Sequence, residues 1–289
     1  MSKSPEYTKK VTTKVFRAKK SHGDPITMLT AYDYLTARAV DLSGMDSILV
    51  GDSLGMVILG YENTLPVTMA EMLHHCRAVS RGASRALLIG DMPFMSYQVN
   101  SQEAVRNAGR FLQEAGMDAV KLEGGRERLE AIQAIVGSGI TVLGHLGLTP
   151  QSVHQLGGYK AQGTTATAAR RLLEDALLLE DFGCFGIVLE SVPARVAEYI
   201  SSRLSIPTIG IGAGGGCDGQ VLVTHDLLGL FDKFTPKFVK QYATLHKHID
   251  TALVAFKKEV ETGIFPGPDH SFSIPDKEWQ LFLEEDGVS

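Results

Sequence analysis

The stretch that decides the fold is VKLEGG, Val120–Gly125. A valine, a leucine and two terminal glycines frame Lys121 and Glu123, and the run reads as a short β-strand ending in charge. Side chains two apart on a strand point to the same face. An ammonium and a carboxylate therefore leave one strand end together. A plain core strand has no use for such a pair. A site that holds both a metal and an anionic substrate does. Upstream and downstream, seven more apolar runs end in polar residues: Ile26–Asp33, Asp46–Ser53, Arg85–Met92, Thr141–Gly147, Phe185–Ser191, Pro207–Gly214 and Gly219–Asp226. Helical spacing fills most of the gaps, at Tyr34–Ser43, Met69–Arg81, Gln102–Ala115, Arg126–Val136, Thr167–Phe182 and Pro193–Leu204. Strands alternating with helices are the pattern of a parallel sheet in an α/β fold. Eight such units close most naturally into a (β/α)8 barrel, with an open doubly wound sheet as the alternative.

The whole chain is compatible with that reading. Its 289 residues suit one barrel of roughly 250 residues with tails. The net charge of −5 lacks the basic excess of a nucleic-acid binder. No apolar run approaches the ~18 residues of a membrane span. Three widely separated cysteines, Cys76, Cys184 and Cys217, point to a reducing compartment and away from disulfides or a zinc site. Residues 1–24 are rich in lysine and read as a flexible basic arm, a transit peptide being the other reading. Residues 25–264 form the expected barrel domain, with no boundary inside it and with Pro236–Thr262 helical. Residues 265–289 form a proline- and acid-containing tail, wrapped over a neighbour or mobile. The stretch Leu148–Gly163 is a long loop without regular pattern, and loops of that length are usually functional.

In a barrel, chemistry gathers at the C-terminal ends of the strands. The residues expected there are Tyr32, Asp33, Asp52, Ser53, Asp91, Lys121, Glu123, His145, Glu190, Gly212, Gly214, His225 and Asp226. Asp52, Asp91, Glu123 and Glu190 come from different strands, and carboxylates brought to one mouth repel each other. A hard divalent cation offsets that repulsion, and without His/Cys spacing Mg2+ fits better than Zn2+. Each residue also has a plainer reading. Asp52 and Asp91 could cap the following helices. Glu123 could pair with Lys121 alone, and His145 could be a satisfied structural histidine. Glu190, ending a buried run, could be a general acid or base with a raised pKa, or could pair with Lys121 or an arginine. The Gly210–Gly216 run contains a GxGxxG match, but near the seventh strand rather than in the first βα turn. Phosphate binding and close packing of the barrel mouth are both open there. No Walker motif, GxSxG elbow or HExxH is present.

Longer motifs then carry a likeness. LTAYDY (Leu29–Tyr34), LVGDSLGMV (Leu49–Val57), DMPFMSY (Asp91–Tyr97), KLEGG (Lys121–Gly125), GHLGLTPQSVHQLGGYKAQG (Gly144–Gly163), VLES (Val188–Ser191), IGIGAG (Ile209–Gly214), TPKFVKQY (Thr235–Tyr242) and HSF (His270–Phe272) occur in that order. Together they resemble the ketopantoate hydroxymethyltransferase family. The resemblance implies a (β/α)8 TIM barrel of the phosphoenolpyruvate/pyruvate-binding type. It implies Mg2+, 5,10-methylenetetrahydrofolate as one-carbon donor, 3-methyl-2-oxobutanoate as acceptor, and a step in pantothenate and coenzyme A biosynthesis. It further implies a cytoplasmic homo-oligomer, commonly a decamer.

By matching motifs, Asp52, Asp91 and Glu123 would be the metal-associated acids. Asp52, Ser53, Asp91 and Lys121 would touch the 2-oxo acid, with His145 orienting it or a metal water, and Glu190 would move protons. No residue is assigned to the folate. Three features lie outside the family pattern: Ser191, where many relatives carry Cys, Ala or Gly; the glycine-rich Gly214–Gly219; and the length of chain after Phe272. Two rivals have discriminating features. A carbon–carbon lyase of the isocitrate-lyase type would carry a KKCGH-like loop, which is absent. A non-catalytic metabolite-binding scaffold would not need the intact acid set with Lys121.

Overall fold

The structure, a computed structural model, describes residues 9–231 and 233–287. Its strands are β1 (Ile26–Thr30), β2 (Ser47–Val50), β3 (Leu87–Asp91), β4 (Ala119–Glu123), β5 (Val142–Gly147), β6 (Gly186–Glu190), β7 (Thr208–Ile211) and β8 (Gly219–Leu222). All neighbours are parallel, and β8 pairs back to β1 with Ile26 opposite Gly219, so the barrel is closed. The open-sheet alternative is thereby excluded. The helices are α1 (Thr13–His22), α2 (Tyr34–Leu42), α3 (Leu54–Val57), α4 (Met69–Gly82), α5 (Ser101–Ala115), α6 (Leu129–Gly137), α7 (Val153–Leu156), α8 (Ala166–Asp181), α9 (Ala194–Arg203), α10 (Thr224–Leu227), α11 (Leu245–Glu261) and α12 (Asp276–Glu285).

Local signals set these elements. Thr68 and Glu71 form a capping box at the start of α4, and Asn100 caps α5 through Glu103 N. Gly116, at φ 68°, ends α5 in the left-handed conformation that glycine adopts without strain. The apolar face of α5 buries Ala104, Ala108 and Phe111, and the Phe111 ring occupies the space a Cβ at Gly90 of β3 would need, 2.4 Å away. One core lies between strands and helices, and a smaller one of Met28, Leu49, Ile89 and Leu143 fills the barrel interior.

Four sequence expectations need correcting. Residues 10–23 are not a flexible arm: α1 buries Phe16 completely against Phe185, ring centroids 5.8 Å apart. The lysines of this segment are tied to the N-terminal ends of strands, Lys10 to Asp118 at 2.7 Å, Lys19 to Asp46 at 2.7 Å and Lys20 to Asp218 at 2.8 Å. Residues 1–8 of the expected arm lie outside the described residues. Second, Leu148–Gly163 is not structureless, since a 3-10 turn at Pro150–Ser152 runs into α7. Third, helix begins at Leu245, not Pro236. Fourth, the chain has an internal boundary, with one compact unit ending at Gln241 and a second running from Tyr242. The second unit holds α11 and α12, so the expected tail is partly helical; residues 288–289 lie outside the described residues. On α11, Ile249, Leu253, Val254, Phe256 and Val260 are all exposed. All three cysteines are free. Among the described residues, no helix is long and apolar enough to cross a membrane.

Candidate active site

The C-terminal mouth of the barrel gathers the polar strand ends. Lys121 on β4 lies opposite Asp91 on β3, and Glu123 lies opposite His145 on β5. Register therefore sets the contacts. Lys121 Nζ is 2.8 Å from Asp91 Oδ1 and 3.2 Å from His145 Nδ1. His145 Nε2 is 3.2 Å from Glu190 Oε2, and Nδ1 is 3.5 Å from Glu123 Oε1. Asp52 lies two residues beyond β2, and its backbone N–H donates to Asp91 Oδ2 at 3.1 Å. Asp52, Ser53, Asp91, Lys121, Glu123, His145 and Glu190 all line one cavity. Asp52, Asp91, Lys121, Glu123 and His145 are at most 4% exposed.

The plainer readings can be judged against these contacts. Asp52 and Asp91 cap no helix; Asp52 accepts from a side chain and Asp91 from Asp52's backbone. Asp33, by contrast, is a cap, accepting from Thr36 N at 2.9 Å at the start of α2. The ion-pair partner of Lys121 is Asp91 rather than Glu123, and the partner of Glu190 is His145 rather than Lys121. His145 sits inside β5, not at its end. In the glycine run, Gly212 accommodates the Phe238 ring 2.8 Å from where a Cβ would lie, which is close packing of the mouth.

Electrostatics at the mouth are unbalanced. Burial, with the charges of Asp91 and Glu123, pushes the Asp52 carboxyl well above its usual range. Burial also raises Asp91, although Lys121 opposes it. For Lys121, burial acts downward, but Asp91, Glu123 and Asp52 together hold the ammonium above its ordinary value. Burial and Lys121 push His145 down, yet hydrogen bonding to Glu123 and Glu190 carries it up to about 9. In the ring tautomer whose Nδ1 accepts from Lys121, the proton sits on Nε2, 3.2 Å from Glu190 Oε2. Buried Asp91 Oδ1, Glu123 Oε1 and His145 Nε2 lack a well-directed hydrogen bond, although all three make the ionic contacts given above.

A residue not picked out from the sequence holds this arrangement. Gln151, in the 3-10 turn after β5, donates Nε2–H to Asp52 Oδ2 at 3.0 Å and to Met92 O at 2.9 Å. Its backbone N–H donates to Glu123 Oε2 at 3.0 Å, and its Oε1 accepts from Tyr97 O–H at 2.7 Å. Tyr97 in turn accepts from Glu123 N at 3.1 Å. The only available signal was its place in the long motif GHLGLTPQSV, read above as a loop. Gly147 makes that turn possible: at φ 95° it passes Glu190 O so closely that a Cβ would sit 2.2 Å away. Tyr32, buried, shares a 2.9 Å hydrogen bond with Ser53 Oγ.

A sequence model of the family described as ketopantoate hydroxymethyltransferase matches residues 10–268. The chain belongs to this family. Curated members named 3-methyl-2-oxobutanoate hydroxymethyltransferase include one from Syntrophus aciditrophicus, 61% identical over 91% of this chain and 97% of its own. Another, from Heliobacterium modesticaldum, is 55% identical over 93% of this chain and 98% of its own. Among solved structures, phosphonopyruvate hydrolase superposes with TM-score 0.60 at 13% identity, covering 95% of this chain and 94% of its own. 2,3-Dimethylmalate lyase, a member of the PEP mutase/isocitrate lyase superfamily, gives 0.57 at 15%, covering 96% of each. These structural likenesses show a shared (β/α)8 barrel fold.

Proposed function

We propose that the chain transfers a hydroxymethyl group from 5,10-methylenetetrahydrofolate to 3-methyl-2-oxobutanoate, giving ketopantoate and tetrahydrofolate for pantothenate synthesis. The observation that carries the reading is the buried grouping of Asp52, Asp91 and Glu123 around the single ammonium of Lys121, with His145 and Glu190 beside it. Family membership names the reaction class. An anionic oxo acid alone would add to the negative charge of this mouth.

The residues fit a divalent cation. Three buried carboxyls share one lysine, and Asp91 Oδ1 and Glu123 Oε1 have only ionic contacts to Lys121 and His145. Among the described residues, no three His, Cys, Asp or Glu side chains converge as a ready-made cage. Mg2+ suits that arrangement, since it takes one or two carboxylates and completes its shell with water and substrate. Asp52, Asp91 and Glu123 are the candidates to hold it. When bound, it would polarise the oxo acid's carboxylate and keto oxygen and so acidify C3–H, an effect worth several kcal/mol.

Lys121, Ser53 and the backbone around Asp52 orient the substrate's anionic end. Glu190 removes the C3 proton, and His145 steadies Glu190 by donating Nε2–H. Water adds to the folate methylene and both of its carbon–nitrogen bonds break, which returns N–H to the two nitrogens of tetrahydrofolate and leaves the carbon at the aldehyde level. The C3 carbanion then bonds to that carbon, and its oxygen takes up the proton that Glu190 removed to become the new hydroxyl. Burial around the acids excludes bulk water from this step.

The test is direct: incubate with the oxo acid, Mg2+ and 5,10-methylenetetrahydrofolate, and detect ketopantoate. Glu190→Gln should lose both turnover and exchange of C3–H with deuterated water; retention of both removes Glu190 as proton carrier. Full activity in excess chelator removes the metal. The exposed apolar residues of α11 support a homo-oligomer of this chain, measured by light scattering. The free cysteines support a cytoplasmic setting, tested by cell fractionation.

A further inference from the structure

Asp226 is the carboxylate that the proposed chemistry leaves idle. It follows β8 in the first turn of the four-residue α10, on the wall of the same cavity. Its side chain makes no hydrogen bond and no ion pair with any described residue. Asp33, Asp41, Asp46 and Asp218, by contrast, each accept from backbone amides. Asp226 is also more than half buried, and that burial alone lifts its carboxyl to about 6. Such a group costs stability unless donors arrive from outside the chain. The cavity wall near it in sequence is aromatic: Phe231, Phe234 and Phe238 all line it, Phe231 and Phe234 edge to face at 5.4 Å. Phe238 lies over Gly212 at the end of β7. Flat apolar walls with one unpaired carboxylate suit a planar heterocycle that presents adjacent N–H donors.

We propose that Asp226 is the anchor for the pterin of the one-carbon donor, accepting hydrogen bonds from the 2-amino group and N3–H of a 2-amino-4-oxopteridine seated among Phe231, Phe234 and Phe238. The inference rests on the folate reading above. The two donors lie side by side on one edge of the pterin, matching the two oxygens of a carboxylate. Lys237, which lines the same cavity, supplies a cation for the acidic glutamyl end of such a donor.

The test uses the full-length protein and two ligands, tetrahydrofolate and its 2-desamino-2-methyl analogue, with binding measured by calorimetry. Wild type should bind the analogue about 10- to 100-fold more weakly, the range for hydrogen bonds to a charged group. In Asp226→Ala the two ligands should bind alike, and in Asp226→Asn the preference should shrink. Preference retained in Asp226→Ala overturns the proposal. In turnover, the KM for 5,10-methylenetetrahydrofolate should rise about 10-fold or more in both variants, while the KM for the oxo acid moves far less. C3–H exchange needs no folate, so it separates loss of the pterin contact from damage at Asp52, Asp91 or Glu123; an exchange rate falling in parallel also overturns the proposal. A wild-type protein that makes no ketopantoate from the folate donor fails the functional reading itself. Wild-type turnover with an unchanged folate KM in Asp226→Asn fails only this assignment.

Discussion

The two ends of the barrel use the same residue types for opposite purposes. At the N-terminal end, each acid has its own lysine and its own strand. Asp46 accepts from Lys19, from Thr27 N at 2.9 Å and from Thr27 O–H at 2.9 Å. Asp218 repeats the pattern with Lys20, Thr208 N and Thr208 O–H. Each of these acids has a lysine beside it, with Arg85 also 3.9 Å from Asp46, and each bonds to backbone, so the charges pin the strand starts. At the C-terminal end, the charges of Asp52, Asp91 and Glu123 all bear on Lys121, and the three acids line a cavity. Paired charges hold the fold together, whereas a surplus of negative charge gathers at the mouth, where we propose that a cation and the oxo acid bind.

The comparison is broken most severely at Lys121. Lys121→Met leaves buried carboxylates without their counter-ion, and should cost about 3–5 kcal/mol with loss of activity. Denaturant unfolding at pH 8 and pH 5 checks this: the cost should shrink as the pH falls, because the raised Asp52 and Asp91 carboxyls take up protons more readily than ordinary ones. Phe16→Ala, which removes the plug at the opposite end, should cost about 3 kcal/mol by the same measurement. Its activity per folded molecule should stay at the wild-type level.

Gln151→Leu should cost about 2 kcal/mol, since it strips donors from Asp52 and Met92. Unlike the changes at the other end, it should also weaken Mg2+ binding measured by calorimetry. Lys20→Met, at a matched pair near the surface, should cost about 1 kcal/mol and leave kinetics alone.

The smallest effect is a gain. Asp226→Asn should stabilise the protein by about 1 kcal/mol at pH 7.5, after allowance for partial exposure. Its folded value near 6 stands above the ordinary 3.8, so below 3.8 the carboxyl is neutral in both states and costs nothing. Between the two values the unfolded chain ionises first, and above 6 the full penalty is present. Melting curves of the two proteins should therefore converge as the pH falls below 3.8.

The βα rhythm was legible because parallel barrel strands are apolar runs with polar ends, and the motif order carried the family. The acids were legible because they lie at or just past strand ends, and Lys121 because it stands two residues before Glu123 on β4; register then brings them together. What stayed hidden was long-range pairing. The lysines of α1 look like a loose basic arm until Asp46, Asp118 and Asp218 are placed opposite them. Gln151 reads as one polar residue in a loop until Gly147 turns the chain across β6 and aims it at Asp52. The break at Gln241 leaves no composition signal, because α11 is as amphipathic as a helix packed on a barrel.

Ser191 carries a consequence for engineering. It holds φ at 50°, a left-handed conformation costing a residue with a Cβ about 1 kcal/mol, directly after Glu190. Its N–H reaches Ile211 O at 2.8 Å and its carbonyl receives Gln162 N–H at 2.9 Å. One residue thus couples Glu190 to the neighbouring strand and to the segment that holds Gln162. Ser191→Gly should raise the melting temperature by relieving the strain. It should also loosen that three-way junction, so its kinetics would report how far turnover depends on a stiff hinge beside Glu190.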